Sequence, residues 1–236
     1  MYQTPPPYNP SDISRDSVRK VSTVMKQVYV KMTLALIVTA LTALMINLAG
    51  RPFMYYMATH SWVYWGLLIL ELGLVLGLSA RINKLSNTTA TLMFYLFAIV
   101  NGAVFSIICA VYTPVSLFKT FLITAGTFGA MSVYGYFTNR DLTGVGTFLR
   151  MALWGLIICL VVNIFWANST FDWIISFAGV AIFVGLTAWD TQQIRRLSEA
   201  NPYASDGRIA TLGALTLYLD FINLFLYLLR FFGNRD

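Results

Sequence analysis

Charge is what this sequence has least of. Asp, Glu, Lys and Arg make up 11% of the chain, 58% of its 236 residues are hydrophobic and the mean hydropathy is +0.68. Soluble domains carry about 25% charged residues, so that class is excluded. Histidine occurs once, at His60 in a loop, which leaves zinc chemistry without ligands. Cys109 and Cys159 both lie inside apolar runs, too few for a disulfide framework, and read as inert core residues. No glycine motif that cradles phosphate occurs, and no lysine follows Lys119, which removes a retinal Schiff base in a last helix. Beyond the N-terminal leader, proline is confined to Pro52, Pro114 and Pro202, all between apolar runs, so the runs read as unbroken helices. The net charge of +6 gives no case for nucleic acid, because the basic residues stand at the edges of those runs, as in a membrane protein.

What is present is a set of seven apolar runs of about twenty residues, the length that spans a bilayer. They are Val28 to Leu48, Ser61 to Ala80, Thr91 to Tyr112, Leu117 to Phe137, Phe148 to Trp166, Trp173 to Leu197 and Ala210 to Phe232. The reading is an all-α polytopic membrane protein, with residues 1–21 a disordered proline-rich leader and 22–236 one transmembrane domain. Met1 to Arg19 has no apolar core behind a basic head, so a cleavable signal peptide is not expected. Pro5-Pro6-Pro7-Tyr8 reads as solvated leader rather than as a ligand for a proline-reading domain. From Val18 onward, Val18, Val21, Met25 and Val28 recur at helical spacing and predict an interfacial helix whose basic residues rest on anionic headgroups. Gly73/Gly77 and Ala181/Gly185 are spaced for close helix packing. Of the sixteen Lys and Arg residues, only Arg51, Lys119, Arg230 and Arg235 fall on one side when the spans are threaded. The other twelve fall opposite, which predicts a cytoplasmic N-terminus and an external C-terminus.

Three acids lie inside the runs: Glu71, Asp190 and Asp220. A carboxylate at mid-bilayer costs about 2.5–3.5 kcal/mol, so each is a functional candidate. Asn201-Pro202 must end the helix that carries Asp190, and apolar character resumes at Ile209. Asp190 is eleven residues before Asn201 and Asp220 eleven after Ile209, so both should sit ~16 Å from the turn. Level acids on consecutive helices predict a facing pair. Two such carboxyls cannot both ionise cheaply, which serves either a helix-joining role or a gate. A position near one mouth favours the gate, and oxygen ligands suit a hard cation, so Asp190 and Asp220 are candidate calcium contacts. Arg81 ends the second run on the same side; it either reaches the pair through its fork geometry or snorkels to headgroups. Glu71 reads first as an interhelical hydrogen-bonding group; with Asn223 it is also a candidate pore or ion contact. No enzyme is expected. An intramembrane aspartyl protease would carry Gly-x-Gly before its second aspartate, where Leu217-Tyr218-Leu219 stands, and no Pro-Ala-Leu follows.

Three blocks resemble the Bax inhibitor-1 family, also called the transmembrane Bax inhibitor motif family, in its bacterial inner-membrane branch. They are Arg140 to Gly146 continuing to Phe165, Gly179 to Ile194, and Gly213 to Gly233. The resemblance implies a seven-helix bundle with the last helix central and six around it. It also implies a pH-sensitive calcium leak through the inner membrane, with Asp190 and Asp220 matching the aspartates that sense protons and Arg81 the nearest match to an arginine that contacts them, Ile82 being the other. No cofactor is implied, and calcium is the permeant ion. Some relatives look instead like modulators of a membrane protease or suppressors of cell death, so the alternative is a regulator that binds a membrane protein partner.

Overall fold

The computed structural model describes residues 10–49, 53, 55–56, 59–82, 84–165, 168–200 and 206–234. Among them no strand occurs, and seven long helices follow in order: α1 Pro10–Ala49, α2 Ser61–Arg81, α3 Asn87–Val111, α4 Pro114–Phe137, α5 Thr143–Phe165, α6 Ser169–Ala200 and α7 Asp206–Phe232. All but α2 carry a described window long and apolar enough to cross a membrane. At 21 residues α2 reaches about 30 Å, also the thickness of the hydrocarbon core.

Local chemistry sets several helix ends. Ser86 caps α3 by accepting the Thr89 N–H at 3.1 Å, and Thr113 caps α4 by accepting the Ser116 N–H at 3.2 Å. Pro114 opens α4, where its missing N–H costs nothing. The break at Asn201-Pro202 and the Pro5 to Tyr8 motif lie outside the described residues.

α7 is the most deeply buried helix and the axis of the bundle. It packs directly on α1, α3, α4 and α6, while α2 stands behind α3 and α5 behind α6. Tyr218, Leu215, Leu217, Leu224 and Leu229 are almost fully enclosed. The outer faces are apolar too: Leu41, Met45, Leu72, Leu76, Met151, Trp154 and Ile158 are all exposed. A chain hydrophobic inside and out is built for lipid.

The start of the chain differs from expectation. α1 begins at Pro10, well inside the leader expected to be disordered as far as residue 21, and runs unbroken into the first span. Its Val21, Val24, Met25 and Val28 are buried in the core, so this stretch packs against the bundle. Two of its basic residues are drawn inward as well: Lys20 pairs with Asp206 at 3.3 Å, and Lys31 donates to the hydroxyls of Thr211 at 2.6 Å and Thr91 at 2.9 Å. The close helix approaches fall only partly where expected: a Cβ on Gly185 would run into the Leu149 side chain of α5, but the other expected pair is open. A Cβ on Gly73 would meet open space, and one on Gly77 only ordinary contact. Gly135 is the tight point: its Cβ would collide with the Ala188 carbonyl of α6. Gly135→Ala should therefore destabilise the protein by about 1–3 kcal/mol. Gly126→Ala on the open face of the same helix should be neutral or slightly stabilising. Thermal midpoints of the two purified variants in detergent check this.

Candidate functional site

Asp190 and Asp220 come together. Asp190 sits on α6, half-buried, and Asp220 on α7, 4% exposed, and their carboxyl groups are within hydrogen-bonding reach of one another. The facing arrangement holds although α7 starts at Asp206, earlier than Ile209. Among the described residues no N–H or O–H is directed at Asp220 Oδ2. A hydrogen bond between two carboxyl groups requires a proton on one of them, since an ionised carboxylate only accepts. The pair is thus a place where one proton decides whether two helices are joined or repelled.

The nearby cation is not the expected one. Arg81 is exposed in the last turn of α2, a helix that packs on α3, and it makes no ion pair among the described residues. α2 packs on α3, away from the contact between α6 and α7. Arg150 of α5 takes the place: its guanidinium lies 4.3 Å from the centre of the Trp189 ring, and its charge acts on Asp190. Gly146 allows this, because a Cβ there would run into the Trp189 ring.

Glu71 belongs to a second polar system. Its Oε1 accepts from Asn101 Nδ2 at 2.9 Å, the Tyr218 hydroxyl donates to Asn101 Oδ1 at 2.9 Å, and the hydroxyls of Tyr218 and Thr39 are 2.6 Å apart. Thr39 also donates to the Ala98 carbonyl at 2.9 Å. The chain joins α2, α3, α7 and α1, which makes Glu71 an interhelical hydrogen-bonding group. Tyr218 and Asp220, two residues apart, point about 200° apart around α7. The two systems therefore lie back to back at nearly one height. Asn223 spends its amide N–H on the Leu219 carbonyl at 2.8 Å, within its own helix.

Gln192, fully buried two residues after Asp190, escaped the sequence reading. Its Nε2 donates to the Arg140 carbonyl at 2.8 Å and its Oε1 accepts the Leu142 N–H at 2.9 Å, clamping the α4–α5 connection to α6. Arg196 adds an ion pair to Asp141 at 2.6 Å, and Arg195 donates to the Tyr136 carbonyl. Asp141 also accepts from the hydroxyl and backbone N–H of Thr143, and with Arg196 these hold its carboxyl down to about 2. The signal was the run Asp190-Thr-Gln-Gln-Ile-Arg-Arg, polar where an apolar helix face continues.

The family model described as "Inhibitor of apoptosis-promoting Bax1" matches residues 21–236. The inner membrane protein YbhL of Escherichia coli K12 is 45% identical over 218 residues, 91% of this chain and 93% of that protein. An uncharacterized protein of Borreliella burgdorferi is 46% identical over 179 residues, 75% and 77% of the two chains. Protein RP147 of Rickettsia prowazekii is 39% identical over 212 residues, 89% of each.

Two outcomes follow from the clamp. Gln192→Ala leaves a buried N–H and C=O without partners and should cost about 1–3 kcal/mol in detergent unfolding. Asp141 titrates lower folded than its ordinary ~3.9, so its contacts stabilise above that range and fade as pH falls toward 2. The gap in thermal midpoint between wild type and Asp141→Asn should be constant from about pH 8 to about pH 5 and close below about pH 4.

Proposed function

The chain belongs to the Bax inhibitor-1 family, and from that premise we propose that it is an integral inner-membrane protein that passes calcium down its gradient, pH-sensitively, with Asp190 and Asp220 as the gate. The carrying observation is the buried carboxyl contact between α6 and α7. When the two acids share a proton the helices are held together; when both ionise they repel, and an entering cation meets two free carboxylates. Calcium at rest takes six to eight oxygens. Two carboxyls, with no third acid or histidine grouped beside them among the described residues, suit a permeant ion in passage better than a resident one. The charge count puts the N-terminus in the cytoplasm and the pair nearer that side.

Arg150 over Trp189 supplies the positive charge that biases the pair, the role first read for Arg81. Glu71 and Asn223, committed to hydrogen bonds in this conformation, become ion contacts only where α7 turns or shifts.

Calcium flux into liposomes holding the purified protein, followed across pH, tests this reading. Asp190→Asn and Asp220→Asn should each abolish the pH dependence, Arg150→Gln should shift the profile, and Arg81→Gln should leave it in place. Flux that is flat with pH and equal in all four variants would transfer the function to binding of a membrane protein partner.

A further inference from the structure

On the face of the bundle away from α2 and α5, α1 and α4 both rest on α7 but stand apart, leaving a groove of about 570 Å³ that opens sideways. Its volume is in the range that encloses a small ligand. Met32 and Leu36 of α1 form one wall, Phe128 and Gly129 of α4 the other, and Phe221 of α7 the floor. The Phe221 ring is held edge-on by Phe121 and Phe128, with centroids 5.7 and 5.4 Å away. The lips, Phe121, Val133 and Phe137, are exposed and apolar, so the groove faces the acyl region of a bilayer.

One end of the groove is different. Lys20 bonds Asp206 in the first turn of α7, which sets that end of α1 beside the α6–α7 connection. Lys26, ~9 Å further along the helix, lines the groove at this end, is exposed, and has no hydrogen bond or ion pair among the described residues. Across from it, near the end of α4, Ser132 lines the groove, is 4% exposed, and its Oγ has no hydrogen-bond partner among the described residues. A lysine snorkelling to the surface is placed for a phosphate. A buried hydroxyl without an acceptor is a donor waiting for one, since leaving it unpaired is costly.

We infer that this groove is a binding site for one phospholipid with an anionic headgroup. The Lys26 ammonium takes the phosphate, the Ser132 hydroxyl donates to a glycerol-ester carbonyl, and one acyl chain runs down the groove over Phe221. The apolar walls, the free cation and the unpaired donor occur in the order that such a molecule presents its parts. The inference does not rest on the proposed ion conduction, although the floor residue of the groove is the neighbour of Asp220.

The test is native mass spectrometry of the full chain, purified in detergent and offered phosphatidylglycerol and phosphatidylcholine in equal amounts. Wild type should retain one phosphatidylglycerol in preference to phosphatidylcholine. Gly129→Leu fills the groove without a clash, because a Cβ there meets open space, and should cut retention roughly tenfold. Gly126→Leu, on the same helix but outside the groove and equally unobstructed, should retain lipid as wild type does. Lys26→Gln should erase the headgroup preference, and Ser132→Ala should weaken retention of both lipids. Equal retention in the Gly129→Leu and Gly126→Leu proteins would overturn the site. So would a wild type indifferent to headgroup, or one that holds no lipid and forms a dimer that Gly129→Leu dissolves, which would give the groove to a second copy. Should Gly129→Leu not fold, Lys26→Gln, at an exposed position, decides the matter alone.

Discussion

Two carboxyl groups meeting inside an apolar bundle, one buried and one half-buried, are the constraint around which this molecule is arranged. In an apolar bundle almost every other contact is dispersion, spread over many atoms and indifferent to solution conditions. The meeting of Asp190 and Asp220 is the opposite: a single contact whose sign changes with one hydrogen ion. It joins α6 to α7, which pack extensively on one another, and therefore acts inside one of the main helix contacts of the bundle.

α7 carries more than one such commitment. On one side it presents Asp220 to α6; on the other, Tyr218 closes the hydrogen-bonded series through Asn101 to Glu71. Phe221 faces a third direction, toward α1 and α4. A rotation of α7 large enough to part the carboxyls would strain the Tyr218 contacts and move the Phe221 ring. The central helix is therefore read from three sides, and the helices around it, which also pack on one another, are coupled through it.

Much of this was legible in the sequence. Apolar runs of membrane length, prolines only between them, and two acids equidistant from a proline-bearing turn yielded the helices and the facing pair, because each depends on spacing along one chain. What escaped depends on which helices become neighbours. Arg81 was chosen for ending the second run, and Arg150 is singled out only by the placement of α2 behind α3 and α5 behind α6. The unbroken α1 was missed because Lys20, Lys26 and Lys31 read as headgroup-facing, whereas Lys20 and Lys31 find partners inside. Gln192 gave a local hint, but its partners lie some fifty residues away. A groove between α1 and α4 has no sequence signature, being a gap rather than a contact.

The Gln192 clamp has a consequence for how such proteins can drift. It grips the main chain of Arg140 and Leu142, and any residue but proline offers the same amide and carbonyl. The clamp itself does not depend on the side chain at position 140, yet inserting or deleting even one residue would slide both backbone groups out of register. Relatives should hardly vary there in length.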